Sequence, residues 1–396
     1  MITDKLLLWL IPGFVLFSGN FSPFRIGSIL PIYGLLIVYV LSQHGQLIKF
    51  FQRNGLVVLA MAAVTAIAIL MAAYKVMEYQ LQGNEFEGAI QPIAYSLMSL
   101  CRYLLVVMIL IVLTRDDALK YRGWWLALLT SYCVILLPLY AQAFLHFFFN
   151  FDFGYLFPVD NLMRYGGFIG EPQTISAWLF SFFLVLYLGV DNQTTGLAKF
   201  LLIFSILIAL NLTQSTAWML AFFIFVLPRA RLGIIALLLV VIVTSGVFDR
   251  VTDKIVADIF TVSERTVTLL AGAELFTSSS FTLLFGFGVG LTPYLITNTD
   301  VFADYPVWNL SNLGRQTVMN SYLEVFFELG LIGGLLYFYL LIKASRITSF
   351  REVLTFLPML VGIFGISGGF SSGYFLISVP LILRLSRNIN QRCERG

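Results

Sequence analysis

NSYLEVFFELGLIGGLLYFYLLI, residues 320–342, decides the fold. Apart from Glu324 and Glu328 near its start it carries no charge. It matches the roughly 20 apolar residues that a helix needs to cross a hydrocarbon core. The run is continuous rather than alternating, so it reads as a helix and not as a half-buried strand. Asn320, Glu324 and Glu328 recur at every fourth position, which sets them on one helical face. Carboxylates entering a membrane helix face a cavity or a partner. The arginines that could pair with them are Arg164, Arg265 and Arg315. The GLIGG run beyond reads as close helix packing.

The rest of the chain repeats this pattern. Hydrophobic residues make up 59% of the 396 positions and charged residues only 11%, against about 25% charged in a soluble domain. Mean hydropathy is +0.90. Too little charge is present to cover a water-facing surface, which excludes a soluble enzyme, and the apolar content excludes a disordered chain. Apolar runs lie at about 5–19, 26–43, 55–74, 96–114, 123–147, 174–190, 197–213, 215–228, 233–248, 320–342, 352–369 and 372–386. The joints at LNLTQSTAW and GISGGFSSG are the least distinct. The first run ends FSGNFSP without a small-x-small cleavage site and is expected to stay as a helix. The expectation is an all-α polytopic membrane protein of about twelve transmembrane helices, a single membrane domain over 1–396, with no strands.

Net charge is only +3, too small to imply nucleic acid. Its distribution gives orientation. Lys5, Lys49, Arg53, Arg115, Lys120, Arg122, Lys199, Arg229, Arg231, Lys343, Arg346 and Arg351, with Arg384, Arg387, Arg392 and Arg395 of the tail, fall in alternate connections. That is sixteen of the 24 basic residues. Basic loops stay cytoplasmic, so both termini are expected there. Three longer segments are then expected outside, at about 75–95, at 148–173, and at 249–319, the last a large, partly helical loop. Long structured loops are more often functional than spare. The three cysteines suggest no disulfide framework, and His44 and His146 offer no metal-ligand spacing. No metal and no cofactor is expected.

Candidate chemistry sits in the outer segments. In RYGGFIGEPQTISAW (164–178), Pro172 suits a first helical turn and Glu171 the positive end of the dipole. Arg164 and Tyr165 precede a Gly-Gly turn. NLTQSTAWML (211–220) reads as a polar turn at the outer interface. SERTVTLLAGAELF (263–276) places Arg265 in an amphipathic helical stretch. LLFGFGVGL (283–291) lacks the strand and lysine of a phosphate loop, so Gly286, Gly288 and Gly290 read as a tight turn through which backbone closely approaches something. Arg315 and Asn320 stand at the entry of the helix that carries Glu324 and Glu328. His146 reads as a packed interfacial histidine, a base being the alternative.

In this order, the segments RYGGFIGEPQTISAWL, NLTQSTAWML, SERTVTLLAGAELF, FGFGVG and NSYLEVFFELGLIGGLLYFYLL resemble the bacterial O-antigen polymerase and O-antigen ligase superfamily (Wzy/WaaL-like). The resemblance covers roughly 164–340. It implies a GT-C-like, metal-independent glycosyltransferase in the bacterial inner membrane with a periplasmic active site. Donor and acceptor would be oligosaccharides on undecaprenyl diphosphate, with a separate chain-length regulator protein as a possible partner. Ligases of the family have a histidine at the start of the helix that carries E-x-G. That position is Asn320 here, and the departure favours a polymerase of O-antigen, capsule or exopolysaccharide over a ligase acting on lipid A–core. A lipid-linked oligosaccharide flippase is the alternative of another class. A diphosphate leaving group is multiply anionic, and arginines at the outer surface would grip it. Arg265 and Arg315 are expected to be catalytic, with Glu324 and Glu171 as proton acceptors. Arg164, Asn320, Tyr165 and Gly288 are expected to bind substrate. Glu328 is a third candidate acceptor and lies deepest, with a structural role as its alternative.

Overall fold

The structure is a computed structural model. It describes residues 31–81, 92–114, 122–154, 156–159, 162–168, 172–189, 196–229, 264–296, 299, 301, 320–347, 349–363 and 373–393. The apolar runs at 5–19 and 233–248 lie outside the described residues, as do Glu171 and Arg315.

Continuous apolar runs become helices because hydrocarbon offers no partner for backbone N–H and C=O groups. The helices are α1 (Pro31–Ser42), α2 (His44–Arg53), α3 (Gly55–Leu81), α4 (Pro92–Leu113), α5 (Arg122–Phe149), α6 (Pro172–Gly189), α7 (Gly196–Thr213) and α8 (Thr216–Val226). They continue as α9 (Glu264–Thr277), α10 (Ser280–Phe285), α11 (Thr292–Leu295), α12 (Ser321–Ser345), α13 (Phe350–Gly362) and α14 (Gly373–Cys393). Among the described residues six are long and apolar enough to cross a membrane: α3 to α7 and α12. The other described runs form shorter or more charged helices. The run at 26–43 breaks at Gln43, between α1 and α2. The joint in LNLTQSTAW is a true break, with Gln214 at φ 51 between α7 and α8.

The expectation of a strand-free chain is corrected by an antiparallel hairpin, β1 (Leu156–Val159) and β2 (Leu162–Tyr165), within the 148–173 segment. Val159 pairs with Leu162 at the inner end of the ladder. A hairpin outside the hydrocarbon has water for its edges, so the rule against open strands does not reach it.

Helices α4 and α6 are central, buried along 67% and 72% of their spans. Around α4 pack α1, α2, α3, α12 and α14, and around α6 pack α5, α7, α8 and α14. The α6 side is filled by aromatic rings: Phe180 lies 5.5 Å from Trp218, and Phe183 lies 5.9 Å from both Phe222 and Phe225. A second, smaller core joins α9 to the loop after α10, to α3 and to α12 through Ala72, Val76, Val267, Ala271, Phe287 and Phe327.

The ends sort into two poles. At one, Thr114 Oγ1 after α4 donates to Ala344 O of α12 over 3.3 Å. There too, Arg387 of α14 donates to Ser345 O and Arg346 O and pairs with Glu352 of α13 at 3.5 Å. Lys343 and Arg346 belong to this basic pole. At the other, Tyr322 near the start of α12 donates to Leu360 O near the end of α13 over 2.8 Å. The hairpin, the glycine loop and Asn320 lie toward this second pole.

Candidate functional site

Two constructions occupy the second pole. The first is a knot around Glu328. Its side chain is 3% exposed. Oε1 accepts from the Gly290 N–H and the Thr292 hydroxyl, each at 2.9 Å, and Oε2 accepts from the Tyr103 hydroxyl at 3.1 Å. The glycine loop reaches this carboxylate by running along α12. Phe287 N–H donates to Phe327 O at 3.0 Å and Gly288 N–H to Glu328 O at 3.1 Å. Helix α12 itself is kinked at Gly330, with φ 73 and ψ 178. Gly286 has φ 83 and ψ 178. Both lie in a region open in practice to glycine alone. A Cβ on Gly286 would stand 2.2 Å from Glu328 O, and one on Gly330 would stand 2.3 Å from Leu284 O. The two glycines let two backbones touch.

Asn320 caps α12: its Oδ1 accepts from the N–H groups of Tyr322 and Leu323 at 3.1 and 3.2 Å. Glu324 follows one turn later and is buried. Asn320, Glu324 and Glu328 are all buried, Asn320 with extended backbone ahead of the helix and the two glutamates within it. Gly288 is buried too. A Cβ there would lie 3.2 Å from Ala72 Cα, and its N–H serves Glu328 O.

The second construction is the hairpin platform. Successive strand residues point to opposite faces, and β2 uses both. On one face Arg164 Nε donates to Thr213 O, the last residue of α7, at 3.2 Å. A guanidinium there meets the negative end of the helix dipole. Gln214 Nε2 donates back to Met163 O at 3.1 Å, and the Thr213 hydroxyl bonds Ser176 of α6 at 2.6 Å. On the other face Tyr165 sits edge-on to His146 of α5, ring centres 5.7 Å apart. Burial, helped by the Asp152 carboxylate, raises the Tyr165 hydroxyl above its ordinary range.

Helix α5 ends at Phe149, and Asn150 just after it takes φ 50. The chain then turns back so that Asp152 Oδ1 meets His146 Nδ1 at 2.5 Å. One turn below His146, the buried Gln142 donates to Phe153 O at 2.6 Å and accepts from Gly167 N–H at 2.8 Å. Gly154 fits closely here, since a Cβ would lie 2.4 Å from Gly167 O.

Arg164 and Tyr165 are thus on the platform, and Asn320, Glu324 and Gly288 are at the knot. Arg265 lies in the first turn of α9. Its side chain lies outside the described residues, as do Glu171 and Arg315. Sequence reasoning missed Asp152, Gln142 and Tyr103. Only His146 and Asp152 left a trace, a six-residue separation across a helix end. Arg102, also passed over, lies on α4 close enough to act electrostatically on Glu328. Among the described residues no three His, Cys, Asp or Glu side chains converge on a point. The chain matches no family model, no curated protein and no solved structure with which it was compared.

Proposed function

We propose that this chain is a membrane polysaccharide polymerase that joins undecaprenyl-diphosphate-linked oligosaccharide repeat units at the pole holding the hairpin and the glycine loop. That pole is read as periplasmic in a bacterial inner membrane, with the basic pole cytoplasmic. The observation that carries the reading is that its sequence signatures engage one another in two groups. RYGG at 164–167 docks on NLTQS at 211–215 through Arg164 and Gln214. FGFGVG at 285–290 locks onto Glu328 and Gly330, the E-x-G of α12. The α9 helix, from SERTVTLLAGAELF, packs on α10 and α12.

The chemistry is direct displacement. An acceptor sugar hydroxyl attacks the anomeric carbon of the donor, and the lipid diphosphate leaves with the bonding electrons. Arginines at the pole oppose the charge that gathers on the leaving group. Arg265 and Arg315 are the residues proposed for this, with Arg164 holding the platform from which the substrate is presented. A second reading has an observation of its own: a buried carboxylate beside a kink in a spanning helix is also how transporters build a site. That reading is a lipid-linked oligosaccharide flippase.

The test is the surface glycan and lipid carriers of a deletion strain. A polymerase defect leaves single repeat units on undecaprenyl diphosphate outside the membrane. A flippase defect keeps them inside. A ligase defect leaves long polymer on the carrier without transfer to core lipid. Arg265→Ala and Arg315→Ala should each abolish long chains while the protein remains in the membrane, and chains of normal length in both would end the arginine assignment.

A further inference from the structure

We infer that His146 is the proton acceptor of the transfer and that Asp152 is the residue that positions it. The inference rests on the polymerase reading, which needs a group to take the acceptor's proton and finds none in the carboxylates of α12. Glu328 is enclosed by three donors and 3% exposed, and Glu324 is 7% exposed. The His146 side chain is 19% exposed and that of Asp152 55%.

An ionised carboxylate only accepts, so the 2.5 Å contact calls for a proton on Nδ1, and in the neutral ring the Nε2 lone pair is then the one that can accept. A base oriented by a third group is the arrangement that activates a hydroxyl in unrelated enzymes. The surroundings hold it in place. His146 lies in the last turn of α5, where the negative end of the helix dipole favours positive charge building on the ring. Gln142, one turn below on the same face, ties the loop that carries Asp152 to the turn after β2. Tyr165 closes one edge of the ring. Asp152 from the loop and Tyr165 from β2 are the titratable groups set against the imidazole among the described residues.

Depth agrees as well. The apolar span of α5 runs Trp125–Phe149, so His146 stands at its outer limit. Phe144, Phe147, Phe148, Phe149 and Phe151 are all exposed around it. Apolar rings in that number face lipid rather than water. A sugar on a lipid diphosphate presents its reacting carbon at this boundary. In the step, the acceptor O–H bond breaks with its proton going to Nε2. The new C–O bond forms as the bond from the anomeric carbon to the diphosphate oxygen breaks, and the lipid diphosphate leaves as an anion.

The test uses the full-length protein in proteoliposomes with lipid-linked repeat units extracted from the deletion strain. Initial rates are followed from about pH 5 to 8.5, a range that spans imidazole titration. The wild type should lose rate on the acid side through a single protonation. His146→Gln should fall by about 100-fold or more, with unchanged KM for the donor and no acid limb. Asp152→Asn should fall at least about tenfold with KM unchanged, because the ring is no longer held in one tautomer. An inactive wild type overturns the polymerase reading and this inference with it. An active wild type with His146→Gln within a few-fold, or with His146→Gln keeping the acid limb, overturns this inference alone. If His146→Gln does not reach the membrane, the wild-type profile and Asp152→Asn decide. A flat profile, or an Asp152→Asn variant of full rate, overturns it.

Discussion

Glu328 gathers donors from three places: Tyr103 of α4, Gly290 of the loop, and Thr292 at the start of α11. Each donor left without an acceptor in a buried site costs about 1–3 kcal/mol. Glu328→Ala strands all three, so a loss of at least about 3 kcal/mol is expected, read as a large fall in Tm in detergent. Tyr103→Phe removes one hydroxyl and leaves the carboxylate two partners, so about 1 kcal/mol is expected. Equal Tm values for the two variants would show that Glu328 does not organise this knot. At the same scale, Asn320→Ala removes a helix cap and should cost about 1 kcal/mol. The cap shows why this asparagine was legible only by halves. Its place at a helix start follows from spacing, but the sequence does not say that its side chain serves the helix's own N–H groups.

At the scale of elements, the loop after α10 and the kink in α12 form a single unit. Gly286→Ala and Gly330→Ala each force a residue into backbone that only glycine occupies, and each drives a methyl group against the facing backbone. Each should destabilise by about 3 kcal/mol or more. Because both break the same contact, the double variant should be less damaged than the sum. Thermal unfolding of the three variants checks this, and simple additivity would mean that the contact is not shared. The glycine run was legible as a turn approaching something closely. The partner was not, because Gly330 lies in a run apolar enough to read as an unbroken helix. The hairpin was hidden for another reason. LFPV and LMRY are short, and the Asp-Asn pair between them in the sequence was the one local signal. The break at Gln214 was legible only in part, because the polar residues of LNLTQSTAW suggest a turn but the apolar runs on either side nearly join through it.

At the scale of the molecule, the described helices run so that Lys343, Arg346 and Arg387 gather at one pole and the hairpin lies toward the other. Single cysteines in a background lacking Cys101, Cys133 and Cys393 test the orientation. A cysteine in place of the exposed Phe168 should react with an impermeant thiol reagent in intact cells. One in place of the exposed Lys343 should react only after the membrane is opened. Labelling of both from one side would undo the alternation. The class of the molecule was plain from composition and continuous apolar runs. The depth of each helix was not, because α4 and α6 are central by their neighbours and not by any excess of apolar residues.

The carboxylate in the glycine loop has one more implication. Backbone amides in such a loop are the usual berth for a phosphate, but here the Gly290 amide already moors an anion of the protein's own. A visiting diphosphate would have to evict Glu328 and unpick the knot to dock there. On the polymerase reading, recognition of such a guest would then fall to guanidinium side chains, with the loop as ballast.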